Sequence, residues 1–122
     1  MIAGIDTHGL ARTLARLAAR YAGEGPGTVV GFGLSNDERR GETAEFARAF
    51  DIARRGGLLS VPHGGELLGP EHIRSIVHEL APDRLGHGIR AGEDPALLEE
   101  IVSAGIGFEV CPGSNVSLGV YP

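Results

Sequence analysis

Along the chain, short apolar runs alternate with stretches whose apolar residues recur at the helical period. "LARTLARLAARY" (10–21) sets Leu10, Leu14, Leu17 and Tyr21 on one helical face. "TVVGFGL" (28–34) then reads as a buried strand. In "ETAEFARAFDIARR" (42–55) Phe46, Phe50 and Ala53 share a face, and Gly56-Gly57 stops the helix. "LLSVP" (58–62) is the next strand and runs directly into His63. Pro70 opens a helix carrying Ile73, Val77 and Leu80, which ends before Pro82. After the short strand "RLGHG" (84–88), Asp94 caps and Pro95 starts a further helix, with Leu97, Leu98 and Ile101 inward and Gly105 closing it. "IGFEVCP" (106–112) is the last strand.

This order spaces the strands about 23 to 30 residues apart, the size of a βα unit. The strands are nearly continuous apolar runs, as in a parallel sheet covered by helices on both faces or closed into a barrel. A complete barrel of eight units needs about 250 residues. The 122 residues here open on strand-like "MIAGID" and stop just after a strand at "GVYP". They predict an α/β fold that is a partial (βα)8 TIM barrel: about four parallel strands with flanking helices, a half-barrel forming one incomplete domain over residues 1–122. A doubly wound sheet is the alternative. It usually presents a glycine-rich phosphate loop after its first strand, and "GFGLSN" lacks the third glycine of that fingerprint.

Composition narrows the function. Hydrophobic content of 42% is ordinary for a globular domain. A net charge of −5, with no basic cluster interleaved with aromatics, argues against nucleic acid as a partner. The lone cysteine, Cys111, can form no internal disulfide, and beside Pro112 at a strand end it reads as a packed thiol. No run reaches the ~18 apolar residues that span a bilayer, and no secretory signal is visible. A cytoplasmic setting without a membrane partner is the expectation.

In parallel α/β folds, chemistry gathers at the carboxyl ends of the strands. Here those ends carry Ser35, Asn36, Asp37 and Glu38, then His63 and Glu66, then His87, then Cys111, Ser114 and Asn115. Adjacent strands lie ~4.8 Å apart, so His63 and His87 on neighbouring strands could address one ion or water. Gly64 and Gly65 permit the sharp path that folds Glu66 back toward the mouth. Each residue also has a plainer reading. His87 alone is a hydrogen-bonded structural residue, Glu66 a loop cap or a partner for an arginine, and Asp37 to Arg40 a solvated charge run. His72 and His78, six positions apart on one helix, read as solvated, and His8 as a loop residue.

Together the strand ends resemble the adenosine deaminase family of zinc aminohydrolases. "VPHGGE" is similar to its His-Ala-Gly-Glu signature, "RLGHGIRA" to Arg-hydrophobic-Gly-His-Gly, and "FEVCPGSN" to Glu-x-Cys-Pro-x-Ser-Asn. "VVGFGLSNDE" is similar to the stretch Gly-Phe-Asp-Leu-Ala-Gly-Asp-Glu. Order and spacing agree over about residues 28 to 118. The resemblance implies a metal-dependent hydrolase barrel with one Zn2+, of which His63 would be a ligand. Glu66 would shuttle the proton to the purine ring, and His87 would orient the attacking water. Gly33 and the backbone of Asn36 would lie near the purine. Gly33 stands where the family commonly has Asp, Asn36 where it has Gly, and Gly64 where it has Ala. The family's His-x-His pair on the first strand and the Asp residues after the last are missing from this chain, which leaves the zinc incompletely coordinated.

The resemblance implies a hydrolytic deaminase acting on adenosine or an adenosine-like purine, with adenine and aminodeoxyfutalosine as alternatives, and releasing ammonia. The chain alone is expected to be inactive. A second reading is a non-catalytic half-barrel that self-associates through its exposed sheet edges or pairs with another chain. A third is a small nucleotide-binding α/β domain.

Overall fold

This computed structural model describes residues 8–35 and 37–121; the strand-like "MIAGID" and Asn36 lie outside the described residues. The chain runs α1 (His8–Arg20), β1 (Gly31–Phe32), a 3-10 turn (Thr43–Phe46), α2 (Ala47–Arg55), β2 (Leu59–Ser60) and β3 (His63–Gly64). It continues with α3 (Pro70–Leu80), β4 (Arg84–His87), a second 3-10 turn (Ile89–Glu93), α4 (Pro95–Ser103), β5 (Gly107–Glu109) and α5 (Pro112–Ser117).

All strand pairs are parallel. Gly31 lies opposite Leu59, His63 opposite Gly86, and Arg84 opposite Gly107. The segments β2 and β3 form one continuous line. The amides of Val61 and His63 donate to Phe32 and Leu34 carbonyls at 2.9 and 2.7 Å on one side. On the other side, Asp83 and Gly86 amides donate to Ser60 and Pro62 carbonyls at 2.8 and 2.9 Å. Pro62 has no N–H to give, so it interrupts the ladder without leaving it. The result is the expected set of four parallel strand lines, in the order β1, β2–β3, β4, β5.

Strand alternation sorts the residues. Ser60 and Leu85 are fully buried, while Leu59, Arg84 and Glu109 are exposed. Phe32, Phe50, Ile73, Ile76, Leu80, Leu85, Leu97 and Ile101 form the core, with the Phe32 and Phe50 rings edge-to-face at 5.1 Å. The Ser60 hydroxyl, buried among them, donates to the Leu80 carbonyl at 2.9 Å.

The helix ends follow their local chemistry. Asp94 accepts hydrogen bonds from the amides of Ala96 and Leu97, and Pro95 occupies the first turn of α4. Gly57 turns the chain at φ 89° after α2.

The faces are another matter. The Leu10–Leu14–Leu17–Tyr21 stripe is not the packed face of α1: Leu10, Leu17 and Tyr21 are exposed. Ala11, Ala15 and Ala18 are buried instead. The helix approaches α2 closely, so that a Cβ at Gly56 would lie 2.4 Å from the Ala19 Cβ. At such a crossing only small side chains fit. Leu98 is likewise 37% exposed on α4 rather than inward. His8 starts a helix and is not in a loop, and the last strand stops at Glu109, with Pro112 opening the short helix α5.

Candidate active site

His63 and His87 sit at the ends of neighbouring strand lines and meet. Their rings are 4.9 Å apart between centroids, at 80°. Glycine makes this possible. A Cβ at Gly86, directly across from His63, would lie 2.4 Å from the His63 Cδ2. Gly65 turns at φ 73°, where a Cβ would meet Ile73 at 2.4 Å, and Gly88 turns at φ 69° against Phe108. The glycines around both histidines are therefore packing requirements as well as turn formers.

His87 itself adopts φ 68°, a left-handed conformation that a side-chain-bearing residue takes at a cost of order 1–3 kcal/mol. It is buried, and its Nε2 lies 3.5 Å from the Glu66 Oε2. Ser114 on α5 donates to the other carboxyl oxygen of Glu66 at 3.3 Å. Among the described residues Glu66 thus pairs with neither an arginine nor its own loop; it joins the strand end at His87 to the start of α5. A cavity of about 310 Å³ opens beside it, lined by Leu67, Arg90, Glu93, Leu118, Gly119 and Val120.

The loop that carries Glu66 is fixed from below. The Glu38 side chain, only 5% exposed, accepts hydrogen bonds from the amides of Gly65 (2.8 Å), Leu67 and Leu68. His72 approaches the same carboxyl at 3.5 Å. Both residues depart from the solvated roles their sequence suggests. Glu38 belongs to a mixed charge run in which Asp37 and Arg39 pair at the surface at 2.8 Å. Nothing local separates it from them, because its partners lie 27 to 30 residues away. On the far side of the loop, Arg90 donates to the Leu67 carbonyl at 2.7 Å and pairs with Glu93.

Burial holds the imidazole of His63 below its ordinary pKa, and the neighbouring His87 ring adds to the effect. Burial likewise lowers His72, opposed by Glu38. A neutral imidazole is the form that binds metals. The donor types therefore fit zinc: His63 is a half-buried imidazole, and the buried Nδ1 of His87 has no hydrogen-bond partner among the described residues. Their number does not complete a shell. A catalytic zinc takes three protein ligands, and no group of three or more candidate ligands occurs among the described residues.

The remaining residues singled out from the sequence fall as follows. Gly33 is buried just past β1, next to Leu34, whose carbonyl receives the His63 amide. Asn36 lies outside the described residues. Asn115 is 3% exposed, and neither polar atom of its amide has a partner among the described residues. Cys111 is half-buried with its thiol 3.4 Å from the Glu109 carbonyl, and His78 is an exposed partner of Glu100 at 3.0 Å. No helix among the described residues is long and apolar enough to cross a membrane.

Comparison with solved structures defines the class of fold. The chain superimposes with a TM-score of 0.80 on an adenine deaminase from Arthrobacter aurescens, at 30% identity over 95% of this chain and 35% of that one. It matches an amidohydrolase from Burkholderia ambifaria, solved with bound zinc, at the same TM-score and 24% identity over 94% of this chain and 31% of that one. The fold is a fragment of an amidohydrolase TIM barrel. The family model for adenosine deaminase matches residues 1–122, and the chain belongs to that family. Relatives include a putative adenosine/adenine deaminase of Streptomyces coelicolor, 63% identical over 91% of this chain and 32% of the relative. An adenine deaminase of Agrobacterium fabrum is 50% identical over 77% of this chain and 29% of the relative. The chain spans about a third of the length of these curated relatives.

Proposed function

We propose that these residues form part of the active site of a zinc-dependent aminohydrolase that converts a 6-aminopurine, adenine or its nucleoside, to the 6-oxopurine with release of ammonia. The observation that carries the reading is the convergence of His63, His87 and Glu66 from two strand ends and one loop. The names of the relatives support the reaction class and weight the choice toward adenine.

His63 holds the metal through its neutral imidazole. The chemistry a zinc supplies there is acidification of water toward a pKa of about 7. Glu66, presented at the mouth between His87 and Ser114, delivers a proton to a purine ring nitrogen, which makes the adjacent carbon electrophilic. His87, fixed in its strained backbone, orients the water that adds to that carbon. Ser114 keeps one carboxyl oxygen engaged while the other faces His87. Gly33, buried just past β1, borders the purine. A catalytic zinc takes three protein ligands, more than the described residues bring together, so the 122-residue chain alone is expected to turn over no purine.

The test is a hybrid in which this chain replaces the matching third of the Streptomyces coelicolor relative, assayed for ammonia release from adenine and adenosine. Removing a general acid costs about 10²–10⁴-fold, so Glu66→Gln should lower turnover by that factor. A hybrid whose turnover is unchanged by Glu66→Gln refutes the assignment.

A further inference from the structure

We propose that Glu38 is a positioning residue for the reaction: its buried side chain clamps the loop at residues 65–68 and so sets where the Glu66 carboxyl is presented. The inference rests on the role given to Glu66 above and adds a residue to it.

The loop leaves β3 through two glycines, which have no side chains to anchor them. Among the described residues the amides of Gly65, Leu67 and Leu68 have no backbone acceptor. Buried N–H groups must be matched, and leaving them unmatched costs about 1–3 kcal/mol each. Glu38 matches three at once, those of Gly65, Leu67 and Leu68, with both of its carboxyl oxygens engaged. These amides flank Glu66 on either side, so the clamp fixes the backbone on both sides of the residue while leaving its side chain free to reach His87 and Ser114. His72 on α3 backs the clamp at 3.5 Å, and Arg90 grips the loop from the other side through the Leu67 carbonyl. Hydrogen bonds to an ionised acceptor are about twice as strong as neutral ones. A loop held this way spends little entropy on presenting its carboxyl. Displacing a reacting group by about 1 Å can cost on the order of 10²-fold in rate.

Glu38→Gln keeps the length and one carbonyl acceptor, but turns an NH2 group toward the amide donors. In the 122-residue chain, amide hydrogen exchange followed by NMR should quicken at least about tenfold at Leu67 and Leu68. The Gly86 amide, bonded to the Pro62 carbonyl in the sheet, serves as the internal reference. In the hybrid enzyme, Glu38→Gln should lower kcat by about 10- to 100-fold with KM and zinc content little changed. The deciding measurement combines it with Glu66→Gln. A residue that acts only through Glu66 adds no further loss once Glu66 cannot donate, whereas a general structural defect multiplies the two losses. Unchanged exchange at Leu67 and Leu68, unchanged kcat, or multiplicative losses each overturn the clamp. A hybrid indifferent to Glu66→Gln instead refutes the function of Glu66, and with it the catalytic part of this inference.

Discussion

Gly86→Ala probes the packing that brings the two histidines together. Gly86 does not occupy a left-handed backbone, so the substitution meets no dihedral penalty, and the whole effect is steric. The new Cβ would lie 2.4 Å from the His63 Cδ2 and 3.0 Å from its Cγ and Nε2. These are atoms of a rigid ring, already held edge-to-face against His87, and not of a flexible tip. Overpacking of this kind costs about 1–3 kcal/mol. Against it stands about 0.4–1 kcal/mol gained by stiffening the unfolded chain. The net expectation is a loss of about 1–2 kcal/mol, or a fall in Tm of roughly 4–8 °C. In a His63→Ala background the obstacle is gone, and the same Gly86→Ala change should become stabilising by about 0.4–1 kcal/mol. The coupling between the two positions is then about 1–3 kcal/mol. Urea denaturation of the four chains, followed by circular dichroism with chelator present, measures it free of any metal contribution. Effects that add to within about 0.5 kcal/mol would show that His63 does not lie on Gly86, and the proposed convergence of the two strand ends would fail with it.

Two further outcomes test the surroundings of the site. Because burial lowers the folded pKa of His72 beneath its unfolded value near 6.5, its contribution to stability is complete above that pH and is lost as pH falls through the folded value. His72→Gln should therefore flatten the loss of stability between about pH 7 and 5, leaving the share due to His63; stability curves for the two chains that overlay across that range would refute the burial argument. Ser60→Ala removes the buried hydroxyl that satisfies the Leu80 carbonyl. It should cost about 1–2 kcal/mol in chemical denaturation, and a loss below about 0.3 kcal/mol would mean that the carbonyl finds another donor.

The extent of what could be read beforehand differs from element to element. The helix α4 was legible because Asp94-Pro95 acts within one turn: a carboxyl on two adjacent amides needs no knowledge of the rest of the chain. The helix α3 was legible for the same reason, bounded by Pro70 and Pro82. Periodicity correctly gave α1 as a helix but chose the wrong stripe. The leucine and alanine rows of α1 have the same period, and hydrophobicity favours leucine. The close approach to α2 favours alanine, and that distance is set by Gly56 and the neighbouring helix. Glu38 was illegible in a stronger sense, since a charged residue in a charged run differs from its neighbours only through amides nearly 30 residues further on.

By itself, then, the sequence determined the alternation of elements, the parallel strand lines and the placement of His63, Glu66 and His87 at strand ends, because caps, breakers and periodicity act within a few residues. Only the tertiary structure decided which helical rows are buried, that His87 takes a left-handed backbone, and that Glu38 turns inward to hold the loop of Glu66. Those outcomes depend on distances between segments far apart along the chain, and no local preference encodes a distance that packing alone establishes.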